Sequence, residues 1–133
     1  MRVLILDSNP VVWKHLFDML GEQYSLSTLA YASTLAEARN CLSSLQPDLL
    51  VMDIVLPDGN GLDLMKELRA AGSATKVAVF TNNPEFRRRS LDQGADWYFD
   101  KSLDFHQLLF LLNDQEYWRN QGVTIRRHTH VKS

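Results

Sequence analysis

Asp7, Asp53, Thr81 and Lys101 each stand at the end of a short apolar run. Val3 to Leu6 leads into Asp7, Leu49 to Met52 into Asp53, Val77 to Phe80 into Thr81, and Trp97 to Phe99 into Asp100-Lys101. Taken singly, an Asp in such a place is a turn or cap residue and a Lys is a solvated charge. Taken together, they deliver two carboxylates, a hydroxyl and an ammonium from four separate segments. Two neighbouring carboxylates repel, and a hard divalent cation such as Mg²⁺ relieves that repulsion. An ammonium beside them suits the neutralisation of a phosphoryl group placed on one acid.

The segments that must position these side chains alternate in kind. Apolar runs of about four residues between turn signals suit strands buried on both faces of a parallel sheet. Tyr24 to Tyr31 is a weaker strand candidate, placed nearer the sheet edge. Helical spacing links Val12, Leu16, Met19 and Leu20, with Pro10 at the start and Gly21 as a stop. Thr34 to Leu45 opens with a capping-box pair, Thr34 and Glu37, and ends before Pro47. Gly61 to Ala71 closes at Gly72. Asn83-Pro84 opens a short helix that Gly94 closes, and Leu103 to Trp118 is read as the last. A β-α unit repeated five times implies a parallel sheet with five helices on both faces and right-handed crossovers. The active crevice of such a sheet lies beyond the carboxyl ends of its strands, where the four polar residues stand.

Composition narrows the function class. The chain has 133 residues and a formal charge of -2, against bulk electrostatic binding of nucleic acid. Its single cysteine, Cys41, excludes an internal disulfide and a cysteine-rich zinc site. No apolar run approaches the ~18 residues of a membrane span, and the N-terminal run is too short for a signal peptide. Basic and acidic residues are not evenly spread. Residues 117–133 carry Arg119, Arg126, Arg127 and Lys132 and no acid, so a boundary falls near Gln121-Gly122. The expected division is a folded unit over 1–121 and a basic, fraying tail over 122–133.

At the residues singled out above, the sequence resembles the receiver domain of two-component response regulators. The matching segments are Asp7-Ser8-Asn9-Pro10, Val51 through Gly61 with the run Asp53-Ile54-Val55-Leu56-Pro57-Asp58-Gly59, Val79-Phe80-Thr81, and Gly94 through Ser102. The resemblance runs from residue 2 to about residue 118. It implies a flavodoxin-like sheet of order 2-1-3-4-5. It implies that Asp53 is the phosphoacceptor of a histidine kinase or phosphotransfer protein. Asp7, Asp53 and the backbone carbonyl of Val55 would hold Mg²⁺. Thr81 would hydrogen-bond one phosphoryl oxygen and Lys101 pair with another, and Tyr98 would be the switch aromatic that turns inward when Thr81 moves. Such a protein is cytoplasmic and promotes only its own phosphorylation and dephosphorylation.

Ser8 departs from the pattern. The family usually has a second acid there, and that acid is the direct metal ligand. A neutral hydroxyl makes Ser8 a weaker ligand than an acid and weakens the expected Mg²⁺ binding. The substitution favours a rival reading, a degenerate receiver that binds proteins without phosphorylation; the intact Asp53, Thr81 and Lys101 oppose it. A third reading, a small flavodoxin-like cofactor binder, lacks a glycine phosphate loop, because Ser8-Asn9-Pro10 contains none.

The last helix points to a partner. Leu108-Leu109-Phe110-Leu111-Leu112 goes round the whole helix at ~100° per residue, so one or two of the five should stay exposed. Tyr117 and Trp118 are expected to extend that apolar surface. A downstream protein, or a second copy in a homodimer, is therefore expected to bind across residues 84–118. Eleven residues after position 122 are too few for a DNA-binding helix-turn-helix, so a stand-alone receiver without direct DNA or membrane binding is expected; the alternative is a fragment of a longer regulator. Arg87-Arg88-Arg89 is read as a solvated helix face, Cys41 as core, and Pro57 to Gly61 as a turn.

Overall fold

The computed structural model describes residues 1–20 and 28–123. Its strands are β1 (Arg2–Leu6), β2 (Thr28–Ala32), β3 (Leu49–Met52), β4 (Val55–Leu56), β5 (Gly59–Asn60), β6 (Lys76–Thr81) and β7 (Trp97–Asp100). The helices are α1 (Pro10–Leu20), α2 (Leu35–Leu45), α3 (Gly61–Ala70), α4 (Arg87–Asp92), α5 (Phe105–Leu112) and α6 (Gln115–Asn120), with a 3₁₀ turn over Pro84–Phe86 before α4. Five strands form one sheet in the order β2-β1-β3-β6-β7, and every pairing in it is parallel. This is the expected 2-1-3-4-5 order of the main strands. The small antiparallel ribbon β4–β5 lies outside that sheet, where the sequence suggested only a turn.

Strand alternation divides the core. Leu4, Leu6, Leu50, Met52, Val77 and Val79 face Leu35 and Ala38 of α2 and Leu62 and Met65 of α3. Val3, Ile5, Leu49, Val51, Ala78 and Phe80 face Leu16 of α1, Leu108 and Leu112 of α5, and Trp118 of α6. Both sheet faces are thus covered, which is why these strands read as unbroken apolar runs.

Three expectations change. The final helix is two helices, making six in place of five among the described residues. Asp114 ends the continuity: its carboxylate accepts the Tyr117 amide at 3.0 Å and caps a new helix after Asn113. That break turns Trp118 inward to 1% exposure, with its indole N–H donating to the Leu111 carbonyl at 2.9 Å, so Trp118 does not extend an exposed surface. The strand candidate Tyr24 to Tyr31 is β2 over Thr28–Ala32; its first residues, like Gly21 and the basic stretch from 124 onward, lie outside the described residues. The capping box at α2 holds in its first half: Thr34 Oγ1 accepts the Glu37 amide at 3.1 Å, while Glu37 also reaches back to the Ser33 amide at 2.9 Å.

Candidate functional site

Strand register sets the site. Leu6 of β1 pairs with Met52 of β3, so Asp7 and Asp53 emerge side by side at the carboxyl edge. The Asp53 amide donates to the Leu6 carbonyl at 2.9 Å, extending the pairing one residue beyond the strands. On the other side Thr81 pairs with Asp100, and the Lys101 amide donates to the Thr81 carbonyl at 3.0 Å. Asp100 holds the following turn, accepting the Ser102 amide at 2.7 Å and the Leu103 amide at 3.1 Å.

Lys101 brings the two acids together. Its Nζ lies 2.5 Å from Asp7 Oδ2 and 2.7 Å from Asp53 Oδ2. Asp7 is only 2% exposed and also accepts the Asn9 amide at 2.8 Å. Asp53 Oδ1 accepts the Ile54 amide at 2.7 Å, so both of its oxygens are engaged. Burial pushes the Asp7 carboxyl above its ordinary range, against the pull of Lys101. Burial opposes the charge on Lys101 too, yet bonding to Asp53 and Asp7 holds its pKa above the usual lysine value.

Thr81 is fully buried, and its Oγ1 accepts two long bonds from Asn83, 3.4 Å from the backbone amide and 3.5 Å from the side-chain amide. It makes no hydrogen bond to Asp53. Tyr98 is half-buried, and its hydroxyl donates to the Asn83 carbonyl at 3.1 Å. The Arg87 guanidinium lies 5.9 Å from the Tyr98 ring centroid. Arg88 and Arg89 are exposed, as a solvated helix face requires.

Gly61 is required by close approach. A Cβ there would lie 2.5 Å from the Asp53 carbonyl oxygen. The Gly61 amide donates to the Ile54 carbonyl at 2.7 Å and closes the segment between the phosphoacceptor candidate and α3. Val55 sits inside that closed segment, in β4 opposite Asn60.

Oxygen donors dominate the site, as a hard cation prefers. Two carboxylates balanced by one ammonium leave a net negative charge, so the donor set fits Mg²⁺. Ser8, next to Asp7, is exposed, and no group of three or more His, Cys, Asp or Glu side chains that could hold a metal ion occurs among the described residues.

Residues 3–113 match the family model of the response regulator receiver domain. The chain belongs to that family. The receiver is 33% identical over 116 residues to the two-component response regulator PhoP of Pseudomonas aeruginosa, covering 85% of this chain and 50% of that protein. It is 29% identical over 115 residues to the DNA-binding transcriptional activator DevR/DosR of Mycobacterium tuberculosis, covering 85% of this chain and 53% of that one. The receiver thus spans about half the length of these curated relatives. Among solved structures, a CheY-like receiver domain protein from Methanospirillum hungatei superposes with a TM-score of 0.72 at 25% identity, over 91% of this chain and 95% of that one. A two-component response regulator from Clostridium difficile shares the fold with a TM-score of 0.78 at 24% identity, over 90% of this chain and 98% of that one. Receiver domains are signalling switches, they interact with histidine kinases or phosphotransfer proteins, and they generally bind Mg²⁺ for phosphorylation. No helix among the described residues is long and apolar enough to cross a membrane.

Sequence reasoning located all four edge residues. It missed Asn83, which touches both Thr81 and Tyr98, because its backbone does part of the work and backbone roles leave no residue signature. It read Asp58 as part of a turn and gave its side chain no partner, because those partners lie 22 and 23 residues away.

Proposed function

We propose that residues 1–121 form a phosphorylation-controlled switch of a two-component or phosphorelay system, with residues 122–133 as a basic tail. Asp53 is the phosphoacceptor. One of its oxygens attacks phosphorus, and the bond from phosphorus to the donor's imidazole nitrogen breaks as the Asp53 O–P bond forms. Lys101 exchanges its contact with Asp53 Oδ2 for a phosphoryl oxygen while Asp7 keeps it oriented. Thr81 turns its hydroxyl from Asn83 to another phosphoryl oxygen. Asp7, Asp53 and the Val55 carbonyl are the residues to hold Mg²⁺, which supplies positive charge to the phosphoryl oxygens. Ser8 makes that binding weak. Hydrolysis of the acyl phosphate resets the site, so the catalysis is confined to the receiver's own phosphorylation and dephosphorylation.

Output runs through α4, β7 and α5 by protein binding, either to a downstream partner or to a second copy. The observation that carries the reading is the double contact of Lys101 with Asp7 and Asp53, 2.5 and 2.7 Å long. Acetyl phosphate with Mg²⁺ should add one phosphoryl group to the wild type and none to Asp53→Asn, read by intact mass. Wild type that stays unmodified at high Mg²⁺ favours the second reading, a phosphorylation-independent binding module, which the exposed Ser8 hydroxyl in place of an acid motivates.

A further inference from the structure

We propose that Asp58 is a positioning residue for the phosphoacceptor site, fixing the β4–β5 ribbon and with it the Val55 carbonyl; this rests on the receiver reading above. The first turn of α2 presents three backbone N–H groups without helical partners, those of Leu35, Ala36 and Glu37. Thr34 satisfies only the last. Asp58 takes the other two, Oδ1 accepting from Leu35 at 2.8 Å and Oδ2 from Ala36 at 3.1 Å. These are charge-assisted bonds at the positive end of a helix, and they hold the Asp58 carboxyl below its usual range.

Asp58 comes from the tip of the ribbon that follows Asp53. That ribbon has only two residue pairs, Val55 with Asn60 and Leu56 with Gly59, too few to hold a shape unaided. Its base is tied by the Gly61 amide to the Ile54 carbonyl at 2.7 Å and by the Asn60 side chain, which accepts the Leu62 amide at 2.8 Å. Its tip is pressed against α2: a Cβ on Gly59 would lie 2.9 Å from Leu35 Cδ1. Val55 lies between base and tip; it is 58% exposed itself, while its neighbours Ile54 and Leu56 are buried in the core, so its backbone is held from either side and not by its own side chain. The polar anchors at either end act together with that packing, and Asp58 is the one at the tip.

Asp58 is also a cap of α2, and Thr34 separates the two roles. Thr34 caps the same helix end, and its side chain bonds only to Glu37, not to the ribbon. The test compares the full-chain variants Asp58→Ala and Thr34→Ala with wild type by amide NMR. One arm titrates Mg²⁺ and follows the amides of Asp53 to Val55. The other, in Mg²⁺-free buffer, measures exchange of the Gly61 amide relative to the core amide of Val51. Asp58→Ala should raise the half-saturating Mg²⁺ concentration about tenfold, as loss of an outer support does at other metal sites. It should also speed Gly61 exchange selectively, while Thr34→Ala moves neither. Equal behaviour of the two variants in both arms overturns the proposal and leaves Asp58 as a helix cap. A wild type without any Mg²⁺ response instead overturns the Mg²⁺ assignment, and the exchange arm then decides the positioning role alone: selective acceleration in Asp58→Ala supports it, and none overturns it.

Discussion

Lys101 Nζ sits 2.5 Å from Asp7 Oδ2, and the Asp7 carboxylate is almost wholly buried. The pair is therefore a balance between a desolvation cost and a short-range attraction, of the kind in which burial can outweigh the pairing. For Asp7 burial prevails, since its carboxyl is held above the ordinary range despite Lys101. The Asp7 charge is therefore held at a cost in stability that the contact with Lys101 only partly offsets.

Asp7→Asn should consequently stabilise the metal-free fold at neutral pH. A group whose folded pKa is raised contributes its stability below its unfolded pKa, roughly 3.9 for Asp, and loses it as pH rises through the folded value. Near pH 4 wild type and variant should be close in stability; by pH 7 the variant should be the more stable, since Lys101 keeps its contact with Asp53. Urea unfolding at the two pH values without Mg²⁺ checks this. A variant that loses more stability at pH 7 than at pH 4 would show that the Lys101 contact outweighs burial.

Ser8→Asp should act in the opposite direction. It adds a third acid next to Asp7, so the metal-free fold should weaken by about 1 kcal/mol or less, as expected of an exposed charge. Mg²⁺ binding should tighten by roughly tenfold, because a charged oxygen replaces a neutral one. Unfolding with and without Mg²⁺ reads both effects in one experiment. Equal Mg²⁺ affinity in the two proteins would show that position 8 does not reach the cation.

The edge residues were legible because a parallel strand buried on both faces is an unbroken apolar run, so the first polar residue marks its carboxyl end. Asp7 after Leu6 and Asp53 after Met52 are such marks. The last helix was less legible for a related reason. Leu108 to Leu112 is apolar throughout and shows no periodicity, and Tyr117-Trp118 reads as its continuation, so no break in the pattern marks the cap at Asp114. The contact of Asp58 with α2 depends on chain segments 22 and 23 residues apart meeting in space, which no local pattern encodes.

Position 110 is where the apolar run meets solvent. Leu108 and Leu112 are buried at 0% and 4% exposure, while Phe110 is 78% exposed. Phe110→Lys should change stability by no more than about 0.5 kcal/mol, as for an ordinary surface site. It should weaken self-association or partner binding across α5. Leu108→Lys, by contrast, should unfold the domain, because it buries an unpaired charge. Sedimentation velocity over a concentration series, with and without beryllofluoride, is the measurement. A wild type that is monomeric throughout removes the homodimer and leaves a different protein as the partner.

Asn83 stands between Thr81 and Tyr98, the proposed switch pair, with its amide donating to Thr81 Oγ1 at 3.4 Å and its carbonyl accepting from the Tyr98 hydroxyl at 3.1 Å. If a phosphoryl group on Asp53 recruits the Thr81 hydroxyl, Asn83 loses that acceptor and the loop carrying Tyr98's partner is freed to shift. The energy for this is limited to the differential affinity of the phosphoryl group for the two arrangements, and the long Thr81 contact is a weak one to give up. Thr81→Ala should therefore retain beryllofluoride on Asp53, with affinity reduced by about the 1 kcal/mol of one hydrogen bond. It should no longer pass the change on. In wild type, beryllofluoride should shift both the Asn83 amide and the Tyr98 ring resonances; in Thr81→Ala the shifts near Asp53 should remain and those of Tyr98 should vanish. Tyr98 shifts of equal size in both proteins would show that the signal reaches β7 by another route, the direct one being through Lys101, whose backbone is joined to Tyr98 by only two residues of the same strand.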